Sequence, residues 1–389
     1  MSFAEVRYQA AAVRRLRAAV AADRMSHAYL FVGPRGVGKG LVARQFAKLL
    51  LCEKRRGKDA DTLEPCDTCG PCRRIDRGTH PDLHWFRKEA DRNDFRVSVV
   101  ARRRGQESAS PMVTVTESVV LHPMEGRCSV TVIDDAERMN TEAANALLKT
   151  LEEPSPHAVL ILLCAEASQL PGTILSRCQL VRFGPLPEEF VAQKVREQMA
   201  GKAVEAPVRG KKPTPARAIS EAEAAFICRF AGGSIEQALR LADSGLWELK
   251  RRLLAELPTV DEAAALDMAE AISLWGQAEA KRGHAAKKSA EENAARRQAS
   301  RLALAAVAAA FRDAIVVASG APASVRLTNA DQRDVVEALA AWPAEACARA
   351  VTTLADGQAY IGRYVHIELA TENALVQMSR LRPAAAAAR

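Results

Sequence analysis

The sequence predicts a mostly parallel, three-layer α/β core followed by an all-helical remainder. Two patterns carry this prediction. Short apolar runs at Tyr29–Val32, Leu83–Phe86, Val130–Ile133, Ala158–Leu163 and Leu180–Phe183 alternate with stretches of helical periodicity, and strands alternating with helices build parallel sheets covered on both faces. From Ser220 onward the chain is rich in Ala, Leu, Glu and Arg without a convincing strand, which favours helix. A chain of 389 residues exceeds what one core usually serves. The expected divisions are an α/β core over 1–185 with a cysteine module at about 52–72, a small helical domain over 186–245, and a larger helical domain over 246–385.

The first strand, Tyr29–Val32, runs into a glycine-rich turn, and apolar residues from Leu41 to Leu51 then recur at helical spacing. Gly33-Pro-Arg-Gly36-Val-Gly38-Lys39-Gly40 lies in that turn. A strand, a glycine-rich loop and a helix start form the context in which backbone N–H groups and a lysine cradle phosphates. The usual motif closes with Ser or Thr, whose hydroxyl ligates Mg²⁺, whereas Gly40 offers no side chain. The loop is compatible with phosphate binding, but metal-assisted hydrolysis of ATP in this chain's own site is disfavoured.

A second element of such a site is the strand Val130–Ile133, which delivers Asp134 and Asp135 to its C-terminal end, where ligands of α/β sheets bind. Asp134 could hold a metal through water. Asp135, one methylene shorter than the glutamate that orients water in many ATPases, could equally be a solvated carboxylate at a strand end. Further on, Asn140 or Thr141 can cap a helix with Ala144, Leu147, Leu148 and Leu151 on one face, ended by Pro154.

Cys52, Cys66, Cys69 and Cys72 form a C-x13-C-x2-C-x2-C pattern. Four thiolates at such spacing close a tetrahedral site around Zn²⁺ with no open position, so the predicted zinc is structural. A redox pair from one C-x-x-C is the weaker account, because two further cysteines accompany it. The other five of the nine cysteines, Cys128, Cys164, Cys178, Cys228 and Cys347, are expected to be small buried residues.

Hydrophobic residues make up 48% and charged residues 26%, ordinary values for a globular chain that argue against wholesale disorder. The longest apolar run, Leu302–Phe311, falls far short of the roughly 20 residues that cross a bilayer, and the charged N-terminus lacks an export signal. A cytoplasmic protein without a membrane partner is expected. The net charge of +8 allows phosphate-rich partners. The clusters Lys54–Arg56 and Arg102–Arg104 read equally well as solvated charge. The polar stretch 89–113 has no assigned role, and the Pro- and Lys-rich stretch 201–218 reads as a flexible basic insertion.

Several segments together resemble bacterial DNA polymerase III clamp loader subunits of the AAA+ family. These are His27-Ala-Tyr-Leu-Phe31 before the phosphate loop, the four cysteines, Thr79-His80-Pro81-Asp82, Asn145-Ala-Leu-Leu-Lys149-Thr-Leu-Glu-Glu-Pro154, and Ile174-Leu-Ser176-Arg177-Cys178. The resemblance covers residues 10–245 and, beyond them, Ile367–Leu381. It implies an AAA+ core, a helical lid and a C-terminal collar that assembles with gamma/tau and delta subunits into a hetero-pentamer around primed DNA and the sliding clamp. It also implies that Arg177 reaches the ATP of a neighbouring subunit as an arginine finger, although a lone loop arginine more often pairs with an acidic neighbour.

Active members of that family carry Ser or Thr at Gly40, Glu at Asp135, a polar residue in Leu163-Cys164-Ala165, and a lid arginine where this chain has Glu236. These departures imply a noncatalytic member that completes a partner's site. A working ATPase of the gamma type is the alternative, supported by Lys39 and Asp134. A zinc-containing nucleic-acid-binding module is a third reading, but no recognition helix adjoins the cysteines.

Overall fold

The computed structural model describes residues 3, 6–87, 100, 114–201, 219–283, 289–322, 325–363 and 366–383. Apart from Val100 and Gly201, the stretches 89–113 and 201–218 therefore lie outside the described residues. The contacts divide the chain into two compact units, Met1–Pro187 and Glu188–Arg389.

The first unit is built on β1 (Ala28–Val32), β2 (Leu83–Phe86), β3 (Ser129–Ile133), β4 (Ala158–Cys164) and β5 (Gln179–Arg182). All neighbouring pairs are parallel, in the order β2-β3-β4-β1-β5. The central strands β3 and β4 are buried along their whole length, as unbroken Val/Ile/Leu runs require when helices cover both faces. In register, Leu30 lies opposite Leu162 on one side and Leu180 on the other. The α/β expectation for this half is met, with each strand within a residue or two of its predicted ends.

Helix α1 (Ala10–Ala21) precedes β1, and α2 (Lys39–Leu51), α3 (Gly70–Arg77), α4 (Val115–Val120), α5 (Thr141–Glu152) and α6 (Gly172–Leu175) lie in the connections between strands. The Asn140 side chain accepts from the Ala143 N–H and so caps α5. Ala143, Ala144, Leu147 and Leu151 of that helix are buried against Leu30, Ile133, Leu160 and Leu162. Each such leucine contributes about 1.5–3 kcal/mol. On α2, Phe46 is fully buried and meets Tyr29 edge-to-face with ring centroids 5.2 Å apart.

The Thr79-His80-Pro81-Asp82 motif has a structural task. Asp82, 2% exposed, accepts N–H bonds from Met124 at 2.6 Å, Glu125 at 2.9 Å and Gly126 at 2.6 Å. Burial alone would raise its pKa, but these three bonds prevail and hold the carboxyl below its usual value. A depressed carboxyl contributes stability that is complete above about pH 4 and lost as pH falls through the folded-state value. Asp82→Asn is expected to cost about 1–3 kcal/mol at neutral pH and to flatten the acid limb of stability. Urea unfolding at pH 7 and pH 3 checks both effects.

The second unit is helical among its described residues: α7 (Glu188–Gly201), α8 (Glu221–Phe230), α9 (Ile235–Ser244), α10 (Leu246–Glu256), α11 (Glu262–Gly283), α12 (Ser289–Ala318), α13 (Arg333–Ala340), α14 (Ala344–Gly362) and α15 (Ile367–Ser379). Helix α12 is its axis. Ala303, Leu304, Ala306, Val307, Ala309, Ala310 and Phe311 are all fully buried, which explains why the longest apolar run of the chain is apolar all round. No described helix is long and apolar enough to cross a membrane.

Candidate functional site

The phosphate loop joins β1 to α2, with Gly33 and Gly36 in the turn and Gly38 at the N-cap of the helix. Gly38 has φ +99, a conformation that only glycine adopts without strain. At Gly33 a Cβ would lie 2.4 Å from the Phe183 carbonyl oxygen, so the close approach of loop and β5 requires glycine. Lys39 folds back on the loop. Its Nζ donates to the carbonyl oxygens of Gly33 at 2.5 Å and Pro34 at 2.9 Å, and burial lowers its pKa against the opposing pull of Glu137 and Asp134.

Asp134 and Asp135 follow β3, as expected, and each meets a guanidinium. Arg35, from the phosphate loop, lies 2.8 Å from Asp135 Oδ1 and 3.4 Å from Glu137 Oε1. Arg87, just beyond β2, lies 3.3 Å from Asp134 Oδ2. Burial still raises the Asp134 pKa, with Arg87 only partly opposing it. Beside Gly40, the Trp85 ring comes within 3.7 Å of where a Cβ would sit. Each of the two carboxylates thus has a guanidinium partner within the chain, and the Trp85 ring borders the space beside Gly40 at ordinary contact distance. In the Leu163-Cys164-Ala165 segment, Cys164 is 1% exposed, and burial, reinforced by Glu137, pushes its thiol up to about 12.

Arg177 stands between α6 and β5, with its side chain 36% exposed. Its guanidinium donates to Glu152 Oε1 at 2.8 Å and to the Thr173 carbonyl at 3.0 Å. The arginine therefore has an acidic neighbour on its own chain. That pair is exposed and weak, worth at most about 1 kcal/mol.

The four cysteines converge from separate elements: Cys52 at the C-cap of α2, Cys66 and Cys69 from the intervening loop, and Cys72 in α3. Their four sulfurs all lie within 4.8 Å of one another, and Cys52 and Cys69 are 4.0 Å apart. A tetrahedral zinc site with Zn–S bonds of about 2.3 Å needs sulfurs about 3.8 Å apart, so the set fits. The Cys66 N–H donates to Cys52 Sγ and the Cys69 N–H to Cys66 Sγ, each at 3.3 Å. Burial opposes ionisation of Cys66, but bonds from Thr68 and Cys69 outweigh it and bring the thiol down to about 6. Burial raises the Cys52 and Cys72 thiols.

Residues 8–187 match the sequence profile of the family described as DNA polymerase III, delta subunit. That match spans most of the first unit but less than half of the chain, and over it the chain is similar to clamp loader subunits of DNA polymerase III. Among curated family relatives, the delta' subunit of Pseudomonas aeruginosa is 33% identical over 229 residues, covering 59% of this chain and 60% of the relative. The delta' subunit of Bacillus subtilis is 34% identical over 176 residues, covering 45% and 47%. The tau subunit of Salmonella typhimurium is 32% identical over 276 residues, covering 70% and 38%. The chain thus spans less than two thirds of the length of these clamp loader relatives.

Some residues that shape the site carried no signal in the sequence. Arg35 and Glu137 are 102 positions apart, and nothing local announces that they meet. Trp85 lies within an ordinary strand and Arg87 just beyond it. Arg55 and Arg56, read as solvated charge or a DNA contact, instead donate to the carbonyls of Leu50 and Cys66. Of the five scattered cysteines, Cys128, Cys164, Cys228 and Cys347 are buried as expected, whereas Cys178 is only partly buried.

Proposed function

We propose that the chain is the delta prime subunit of the DNA polymerase III clamp loader, a stator that turns over no ATP itself. In this reading it donates Arg177 as an arginine finger to the ATP held by a neighbouring subunit. The observation that carries it is the state of its own site, where Gly40 lacks a hydroxyl while Arg35 and Arg87 hold Asp135 and Asp134. A Mg²⁺ ion needs those carboxylates and that hydroxyl, so the geometry supports a degenerate nucleotide site formed by Gly33, Gly36, Gly38, Lys39, Gly40, Asp134 and Asp135. The four cysteines would hold a structural Zn²⁺. Helices α7–α9 would form the lid and the later helices the collar. The partners would be gamma/tau and delta subunits in a hetero-pentamer, and through them the sliding clamp and primed DNA in the cytoplasm.

A gamma-like ATPase is the second reading, favoured by the longer stretch shared with the tau relative and by Lys39. Gly40→Ser distinguishes the two. A Cβ there would make only ordinary contacts, the nearest at 3.7 Å, so the variant should fold with a stability change below about 1 kcal/mol. Because both aspartates stay paired with arginines, it should gain no ATP hydrolysis, and the isolated wild type should show none. Hydrolysis by the wild type that Lys39→Ala abolishes would establish the motor reading instead.

A further inference from the structure

Lys48 sits on α2, at the opposite end from the phosphate loop, and its side chain is fully buried. A buried ammonium is costly unless well paired, and here two carboxylates pair it. Its Nζ lies 2.9 Å from Asp67 Oδ1 and 2.7 Å from a carboxylate oxygen of Asp76. Asp67 lies within the cysteine module, and Asp76 lies on the helix that carries Cys72. Asp67 follows Cys66 with φ +60, at the turn that brings Cys66 and Cys69 together. Asp76 lies one helical turn beyond Cys72 on α3, and Lys48 lies one turn before Cys52 on α2. One ammonium therefore spans three strands of chain that between them carry all four sulfurs.

We propose that Lys48 is the positioning residue of the metal site, fixing the Cys66–Cys69 turn and the Cys72 helix to the end of α2 that supplies Cys52. The proposal rests on the reading of the four cysteines as a zinc site. One physical effect follows from the geometry. The ammonium sets the distance between ligands from separate elements before metal arrives, which lowers the ordering cost of binding. Residues that orient metal ligands from outside the coordination shell typically tune metal affinity by about 10–100-fold.

The test compares wild type, Lys48→Met and Asp67→Asn by zinc content on purification, zinc affinity in chelator competition, and the visible spectrum of the Co²⁺-substituted protein. Lys48→Met should bind zinc about 10–100-fold more weakly, with shifted Co²⁺ bands that report altered ligand geometry. Asp67→Asn, which keeps the buried ammonium paired with Asp76, should show a smaller change in the same direction, and it serves as the sole probe if Lys48→Met does not fold. Lys250→Met, which removes a buried lysine from the second unit, is the control and should leave zinc affinity and the spectrum unchanged. A wild type that holds zinc, together with variants of unchanged affinity and spectrum, would overturn the positioning role alone. A wild type that binds neither zinc nor Co²⁺ would overturn the metal reading and this proposal together.

Discussion

Arg177→Ala is expected to slow ATP hydrolysis at the neighbouring subunit's site on the order of 10³-fold or more, while the reconstituted clamp loader still assembles. The reasoning begins with charge. Phosphoryl transfer builds negative charge on the transferred group, and a planar guanidinium with several donors stabilises it better than any other side chain. In the free chain that guanidinium rests on Glu152 and the Thr173 carbonyl. With the Arg177 and Glu152 side chains 36% and 50% exposed, releasing the ion pair costs at most about 1 kcal/mol, small beside the roughly 4 kcal/mol that a 10³-fold rate effect represents. Arg177→Lys should recover little, because an ammonium is a point charge without the fork. DNA- and clamp-stimulated turnover, measured with assembly verified by gel filtration, decides the matter. Unchanged turnover in an intact Arg177→Ala complex would remove the finger and leave a scaffolding role.

The proposed finger rests on its motif alone. Nothing in the composition around Arg177 separates it from an ordinary loop arginine, and its exposed pairing with Glu152 is what an ordinary one would make. The first-unit strands were legible for a different reason. Parallel strands buried on both faces must be written as short unbroken apolar runs, and Val130–Ile133 and Ala158–Leu163 leave little else to read. Strand order was not legible, because the placement of β1 between β4 and β5 depends on contacts more than a hundred residues distant. The phosphate loop shows the same division. The missing hydroxyl at Gly40 could be read from one letter, whereas the capture of Asp135 by Arg35 and of Asp134 by Arg87 requires the folded chain. These pairs, distant in sequence, give each carboxylate of a weakened motif a guanidinium partner from its own chain.

Lys250→Ala is expected to destabilise the second unit by about 3–5 kcal/mol. Lys250 on α10 is fully buried, and its Nζ lies 2.6 and 2.8 Å from the two carboxylate oxygens of Asp331. The same ammonium sits 4.7 Å from the Phe226 ring centroid and 4.8 Å from that of Trp247, positions in which the ring faces attract a cation. Truncation abandons the Asp331 carboxylate, 9% exposed, and the cost of an unpaired buried charge exceeds that of the lost contacts. The double variant Lys250→Met/Asp331→Leu removes both charges and should recover most of the loss. Chemical denaturation followed by Trp fluorescence measures both variants, and a Lys250→Ala protein as stable as wild type would sink the argument. The pH dependence gives an independent check of sign. Burial holds the Lys250 pKa below the ordinary lysine value despite Asp331, so in the alkaline range the unfolded chain binds this proton more tightly than the folded one. The residue's contribution to stability is therefore greatest above the ordinary lysine pKa and declines as pH falls through the folded-state value. Relative to the double variant, the wild type should gain stability as pH rises across that interval.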